Sequence, residues 1–146
     1  EDKLNAADLT LLIQKPEMPV YVMADGRHFW RVIDNLMNNI CKYAQPGTRV
    51  YVDLRENGGQ VELIFRNTSR YPLNISSEEL MERFVRGDES RNTEGSGLGI
   101  SIAKSLMELM GGSFMLYVDG DLFKVVLGFA QMEEEKEPLD EDKSGK

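Results

Sequence analysis

The stretch RHFWRVIDNLMNNICKYA, residues 27–44, carries the strongest structural signal in this sequence. Its apolar residues recur every three or four positions, which is the period of an α-helix with one buried side. Asp25 stands where such a helix needs an N-cap, and Pro46-Gly47 follows as a break. We therefore predict a long amphipathic helix that begins near Arg27 and ends near Ala44.

The polar side of this helix carries Arg31, Asn35, Asn39 and Lys42. Solvated helix sides usually carry Glu, Lys and Arg, because these residues form helices better than Asn does. Asn35, Asn38 and Asn39 therefore lower the helix propensity without an evident packing gain. An amide oxygen can ligate Mg²⁺ without adding charge beside a polyphosphate, and Lys42 can meet a phosphate. The spacing fits a platform for a metal–nucleotide complex, and a plain solvated surface is the alternative.

Two β-hairpins are predicted from apolar residues that alternate along the chain on both sides of Gly-containing turns. Alternation places every second residue on one side of a strand, which is typical of a sheet with one buried face. The hairpins are residues 48–55 and 60–67 around Asn57-Gly58-Gly59, and residues 113–118 and 122–129 around Asp119-Gly120.

Two further helices complete the predicted elements. Ser76 and Glu79 form a capping box for a short helix through Phe84. A second long helix is expected over residues 98–110, where Gly111-Gly112 ends it. The sequence therefore predicts an α+β fold, a two-layer sandwich in which a mixed, mostly antiparallel sheet packs on about three helices.

Composition excludes several classes of function. The chain of 146 residues has 17 basic and 25 acidic residues and a net charge of -8, which argues against binding to nucleic acid or to an anionic membrane through overall charge. Residues 131–146 are expected to form an acidic, disordered tail after a single domain at residues 20–130. Cys41 is the one cysteine, so no internal disulfide is expected.

The sequence TEGSGLG, residues 93–99, leads directly into the second long helix. Backbone amides of a Gly-rich loop and a helix N-terminus together favour phosphate binding. The loop is not a P-loop, because no Gly-Lys-Ser/Thr closes it, and it is not a dinucleotide fingerprint, because no strand precedes it. Taken alone, it is equally compatible with a phosphate-binding loop and with a flexible hinge.

Three segments, taken together and in order, resemble the N, F and G2 boxes of sensor histidine kinases. They are NLMNNICKYA at residues 35–44, MERFVRGDESR at residues 81–91 and GSGLGISIAKSL at residues 95–106. The resemblance extends over roughly residues 20–129. The family's fold, a mixed sheet layered on helices, is shared with gyrase-type ATPases and related chaperones, and it agrees with the elements predicted above.

This resemblance implies a site for ATP and Mg²⁺, with roles carried over position by position. The residues that would act in catalysis are Asn39 as the Mg²⁺ ligand, Lys42 as a phosphate contact and Arg86 at the γ-phosphate. Asn35 would be a polar neighbour of the metal ligand, Tyr43 would lie against the adenine ring, and Asn67 would contact the adenine amine. Phe84 would anchor a lid over residues 85–96. The residues around the phosphates would be Gly95, Gly97, Leu98, Gly99 and Ile100. A plain core position for Tyr43 and a surface position for Arg86 remain alternatives.

The chain departs from the kinase family's pattern after the hairpin strand, and it differs from the ATPase relatives at Asn35. The family usually has Asp-x-Gly-x-Gly after the hairpin strand, whereas this chain has NTSRY at residues 67–71. Asn67 can still accept a hydrogen bond from the adenine amine, but the bond is expected to be weaker than one to a carboxylate. In the ATPase relatives a glutamate four residues before the metal-binding asparagine activates water, and Asn35 occupies that position here. An amide cannot act as a base, which favours phosphoryl transfer over hydrolysis.

The family's phosphoacceptor histidine lies on a helix hairpin of a separate dimerisation domain. His28, the one histidine here, lacks the flanking pattern of such a helix and is expected to have a structural or capping role. Residues 1–19 are expected to lead in from that dimerisation domain. The resemblance implies a cytoplasmic domain of a membrane-bound sensor, with no direct membrane contact of its own and with a response regulator as downstream partner.

The expected function is therefore transfer of the γ-phosphate of Mg²⁺-bound ATP to a histidine on the dimerisation domain. Two rival hypotheses remain open. One is a non-catalytic nucleotide-sensing module, favoured by the altered sequence at residues 67–71, and the other is a water-using ATPase of the same superfamily.

Overall fold

The computed structural model describes residues 2–73, 75–86 and 98–132, without the side chains of residues 2, 84–86 and 98. The helices are α1 (Asp2–Ala6), α2 (Gly26–Tyr43), α3 (Ser77–Arg86) and α4 (Leu98–Leu109). The strands are β1 (Leu9–Gln14), β2 (Tyr21–Val22), β3 (Thr48–Asn57), β4 (Gln60–Thr68), β5 (Ser113–Asp119) and β6 (Leu122–Met132). In this part of the chain, no helix is both long and apolar enough to cross a membrane.

One six-stranded sheet contains all of these strands. Its order is β1-β3-β4-β6-β2, and β5 also pairs with β6. β1 is parallel to β3, and the other pairings are antiparallel. The register places Phe65 opposite Val52 on one side and Val125 on the other, so apolar residues line up across three strands. The predicted mixed, mostly antiparallel sheet is confirmed.

The core lies between one face of this sheet and the helices α2 and α4. Alternate residues of β4, β5 and β6 point to the helices, and each helix contributes one apolar side. Burial of a large apolar side chain stabilises a fold by about 1.5–3 kcal/mol, so these contacts hold the two layers together. The buried core residues of the two helices are Val32, Leu36, Ile40, Ile100, Ala103 and Met107.

The ends of α2 follow the sequence prediction closely. Asp25 is the N-cap, and its Oδ1 accepts from the amides of Arg27 at 2.9 Å and His28 at 3.1 Å. The amide of His28 has the larger effect in lowering the pKa of the Asp25 carboxyl, because hydrogen bonds to the charged form favour it. The helix ends at Tyr43, one residue before the predicted end.

The turns agree with the predictions except for small shifts. Gly58 and Gly59 form the first turn at positive φ of 59° and 85°, which glycine adopts at no steric cost. In the second hairpin Asp119 pairs with Leu122, so the turn residues are Gly120-Asp121 and not Asp119-Gly120. This shift puts Gly120, at φ 64°, first in a two-residue loop.

The short helix α3 shows one half of the predicted capping box. The Ser76 hydroxyl accepts from the Glu79 amide at 3.1 Å, while the Glu79 carboxylate pairs with Arg83 on the next turn at 3.4 Å. The helix continues to Arg86, so the first residues of the predicted loop over residues 85–96 are helical. The remainder of that loop lies outside the described residues.

The N-terminal segment, expected only as a lead-in over residues 1–19, contributes to the packed unit. β1 is an edge strand of the sheet, and Leu4 and Leu9 are each only 5% exposed. Alternating Leu9, Leu11 and Ile13 form a strand pattern, but their partner β3 is distant in sequence, so the pairing emerges only in the folded chain. The packed unit therefore begins before Val20. At the other end β6 runs to Met132, and residues 133–146 of the expected tail lie outside the described residues.

Candidate functional site

Helix α2 has three sides with different surroundings. One side enters the core, and a second, with Asn35 and Asn39 one turn apart, lies towards α4. The third side faces α1, where the Asn38 amide donates to Asp34 at 3.4 Å and accepts from the Lys3 ammonium at 2.6 Å. Asn38 therefore ties α1 to α2. This contact explains why a residue with low helix propensity stands at Asn38. No such contact explains Asn35 or Asn39.

The Asn35 side chain lies against the first turn of α4. A Cβ atom added to Gly99 would be 3.5 Å from Asn35 Oδ1, which is an ordinary contact distance. Asn35 Nδ2 is buried and has no hydrogen-bond partner among the described residues. An unsatisfied buried donor costs about 1–3 kcal/mol. Because this donor lies beside a helix N-terminus, an oxygen of an anionic ligand would satisfy it.

Asn39 and Lys42 continue the same side of α2 towards its C-terminus. Asn39 is half-buried and Lys42 is exposed. Within the described ranges, neither side chain has a hydrogen bond or an ion pair. That part of the chain also contains no group of three or more His, Cys, Asp or Glu that could hold a metal.

Backbone hydrogen bonds join the C-terminal end of α2 to the end of β4. The Gln45 amide donates to the Thr68 carbonyl at 2.8 Å, and the Arg70 amide donates to the Tyr43 carbonyl at 2.7 Å. Ala44 and Ser69 form a β-bridge between these two bonds. Tyr43 at the end of the helix is thereby fixed beside the strand end that carries Asn67.

Asn67 lies on the helix-facing side of β4, opposite Phe123 on β6. It is 5% exposed, and its side chain has no hydrogen-bond partner in the part of the chain that is described. Two positions on, the Ser69 hydroxyl donates to the Tyr71 carbonyl at 2.7 Å and accepts from its amide at 3.2 Å. The sequence prediction missed this serine turn, although serine favours such turns and gives the signal for it.

The remaining predicted site residues lie in or next to undescribed segments. Arg86 is the last residue of α3 and Leu98 is the first residue of α4, but neither side chain is described, and the same holds for Phe84. Gly95 and Gly97 lie outside the described residues. Ile100 is fully buried in the core, so its side chain anchors the first turn of α4.

A cavity of about 560 Å³ opens on a different side of α2. Its lining is mainly apolar and includes Ile13, Trp30, Ile33 and Met37, but none of the predicted site residues. Burial raises the pKa of the Cys41 thiol at its edge. The candidate site is therefore defined by unpaired polar groups between α2, α4 and β4, and not by this cavity.

Comparison with known proteins gives consistent matches. Residues 24–138 match the model of the family described as histidine kinase-, DNA gyrase B-, and HSP90-like ATPases. The chain is 31% identical to a probable sensor kinase, SilS, of Salmonella typhimurium over 84% of its own length and 25% of the relative. It is 34% identical to a probable sensor protein, PcoS, of Escherichia coli over 73% of its length and 24% of the relative. The chain thus spans about a quarter of the length of these curated relatives.

Solved structures confirm the fold. The catalytic domain of histidine kinase ThkA superposes with a TM-score of 0.73 at 19% identity, covering 88% of this chain and 83% of that one. A mycobacterial sensor histidine kinase, MprB, gives a TM-score of 0.70 at 21% identity and covers 91% of this chain and 95% of that one. The predicted resemblance and the predicted sandwich are both confirmed.

Proposed function

Because this chain belongs to the histidine kinase-, DNA gyrase B- and HSP90-like ATPase family, we propose that it binds Mg²⁺ and ATP and donates the γ-phosphate to a histidine on a separate dimerisation domain. That domain belongs to a longer, membrane-bound sensor kinase in which this chain is the cytoplasmic catalytic part. A response regulator then receives the phosphate. The observation that carries the proposal is the buried, unpaired Asn35 amide beside the first turn of α4.

The phosphates would lie between α2 and the N-terminus of α4. The first turn of α4 contains no acidic residue, so its partial positive charge is available to an anion. Asn35 donates to a phosphate oxygen, Asn39 offers its carbonyl to Mg²⁺, and Lys42 neutralises phosphate charge. When bound, Mg²⁺ neutralises charge on the phosphate oxygens during transfer.

Four further residues complete the proposed phosphate site: Gly95 and Gly97, which lie outside the described residues, and Arg86 and Leu98, whose side chains are not described. Gly95 and Gly97 would contribute backbone amides, Leu98 would lie near the phosphates, and Arg86 would stabilise the charge that develops on the γ-phosphate. Tyr43 and Asn67 hold the base at the other end. The family match supports these roles, which follow from sequence position.

The polar side of α2 supports phosphoryl transfer over hydrolysis. Its side chains are Arg31, Asn35, Asn39 and Lys42, and none of them can remove a proton from water at neutral pH. A histidine imidazole is itself a nucleophile and needs no such base. Positioning of the two reactants then supplies most of the rate acceleration.

Calorimetric titration with ATP, with and without Mg²⁺, tests the binding site. We expect Mg²⁺ to strengthen binding in the unaltered chain and to have no effect in the variant Asn39→Ala. Asn38→Ala is the matched control, because this neighbouring amide faces α1. Absence of binding at millimolar ATP would contradict the proposed function, and equal Mg²⁺ dependence in Asn39→Ala would contradict the role of Asn39.

Joining the chain to its dimerisation domain tests the reaction. We expect acid-labile phosphate on the histidine of that domain after incubation with ATP. ATP binding without labelling would instead favour the nucleotide-sensing module. Steady release of phosphate by the isolated domain would favour the ATPase.

A further inference from the structure

Asn67, Asp53 and Ser69 are the buried polar residues in the described part of the chain. Two of them are engaged with other groups: Asp53 accepts from the Arg66 guanidinium at 2.9 Å, and Ser69 bonds to the backbone of Tyr71. Asn67 differs, because its amide has no partner among the described residues. Its nitrogen and oxygen are also not among the fully occluded unpaired atoms. The amide atoms of Asn67 therefore keep some contact with solvent although the residue is buried.

The backbone around Asn67 is fixed, but the direction of its amide is not. Strand pairing holds Asn67 opposite Phe123, and the next carbonyl, that of Thr68, accepts from Gln45. The last torsion of an asparagine side chain is broad and roughly two-fold. A half-turn of the amide therefore exchanges Oδ1 and Nδ2 without breaking any hydrogen bond of the described structure.

Building on the proposed function, we infer that this site accepts 6-amino and 6-oxo purine nucleoside triphosphates with similar affinity, and that Asn67 determines this breadth. An amide presents an acceptor on one side and donors on the other. With Oδ1 towards the base it accepts from a 6-amino group, and with Nδ2 towards the base it donates to a 6-oxo group. A carboxylate at this position can only accept, and it repels a 6-oxo oxygen.

Inosine triphosphate is the decisive probe, because it carries the 6-oxo group without the additional 2-amino group of guanine. Calorimetry of the full 146-residue chain with Mg²⁺ should give dissociation constants for ATP and inosine triphosphate that agree within about tenfold. In the variant Asn67→Asp, the affinity for inosine triphosphate should fall relative to the affinity for ATP by about tenfold to hundredfold, because the charged carboxylate faces the 6-oxo oxygen.

Asn57→Asp is the matched control. It adds the same charge at an exposed position of the β3–β4 hairpin, at the opposite end of β4 from Asn67, and should leave the ratio unchanged. If thermal melting shows that Asn67→Asp is unfolded, Asn67→Ser replaces it. The serine hydroxyl both donates and accepts, so this variant should keep the ratio within about tenfold, and a strong ATP preference in it would contradict the inference.

The outcomes separate this inference from the proposed function. A preference for ATP above about tenfold in the unaltered chain would overturn the inference and leave the proposed function intact. The same holds if Asn67→Asp folds and keeps the unaltered ratio. Failure of both nucleotides to bind would overturn the proposed function itself.

Discussion

The two ends of the candidate site differ in how they are built. The phosphate end consists of Asn35, Asn39 and Lys42, which lie one turn apart on a single helix and make no hydrogen bond or ion pair with described residues. The base end consists of Tyr43 at the end of α2 and Asn67 near the end of β4, where backbone hydrogen bonds fix the chain and the Ser69 turn follows. The phosphate end keeps the family's pattern and the base end departs from it. We therefore expect that side-chain chemistry at the base end can change without disturbing the proposed phosphate end.

Of the changes considered, Asn35→Leu should have the largest effect on stability and ATP affinity. It tests whether Asn35 belongs to the phosphate end. Leucine removes the unpaired buried donor, so the free energy of unfolding should rise by about 1 kcal/mol. The affinity for Mg²⁺ and ATP should fall by about tenfold to hundredfold, because a hydrogen bond to a charged oxygen is lost. Chemical denaturation and calorimetry on the same sample measure both. A variant that gains stability and keeps its affinity would show that Asn35 does not contact the phosphates.

Lys42→Met should have a smaller effect on the same end. The side chain is exposed, so water and salt weaken its attraction to phosphate, and the loss of affinity for ATP should be about tenfold or less. Adenosine, which has no phosphate, should bind both proteins equally. Competition binding at two salt concentrations would compare the affinities of the two proteins for ATP and for adenosine. An equal loss for adenosine would place Lys42 at the base end.

Ser69→Gly should affect stability but hardly affect binding. Both hydrogen bonds of the Ser69 hydroxyl to Tyr71 are lost, and the free energy of unfolding should fall by about 1–2 kcal/mol. The affinity for ATP should change by less than about threefold, because the backbone bonds from Gln45 and Arg70 remain. Urea denaturation and calorimetry provide the measurements. A tenfold change in affinity would mean that the base end depends on this turn for binding as well as for stability.

Asp25→Asn should have the smallest effect on stability and binding, because Asp25 belongs to neither end of the candidate site. The pKa of Asp25 is lowered from 3.8 by the amides that it caps, so its carboxylate stabilises the fold above pH 3.8 and this stabilisation is lost as pH falls through the lower, folded-state pKa. Asparagine also caps helices well. The difference in Tm between the two proteins should therefore be small at neutral pH and disappear in acid. ATP affinity at neutral pH should be unchanged.

Much of the fold was predictable because its signals are local. The apolar period of α2, the N-cap at Asp25 and the glycine turn at Gly58-Gly59 each depend on neighbouring residues, and each is confirmed. The pairing of β1 was not predictable, although its residues alternate, because its parallel partner β3 begins at Thr48 and only the sheet brings them together. A pairing between distant segments leaves no mark in either segment alone.

The candidate site also has some features that depend on local sequence and others that depend on distant contacts. That Asn35 and Asn39 lie one turn apart on α2 was predictable from the helical period, while their roles at the phosphates stay predictions from the family pattern. The role of Asn38 was not, because its partner Lys3 lies far away in sequence. That Asn67 is buried and yet unpaired also depends on the packing around it. The role of Asn67 at the base stays a prediction from the sequence.

The backbone hydrogen bonds that join the end of α2 to the end of β4 also offer a way to observe the site. The amide protons of Gln45 and Arg70 are engaged in the backbone bonds between α2 and β4, so they exchange with solvent deuterium only when that join opens. A nucleotide that bridges the helix and the strand would slow both exchange rates together. The amide of Gln131, bonded to the Gly59 carbonyl at the far end of the sheet, would keep its rate. Two backbone protons, with a third as reference, can thus report occupancy of the site without any label on the ligand.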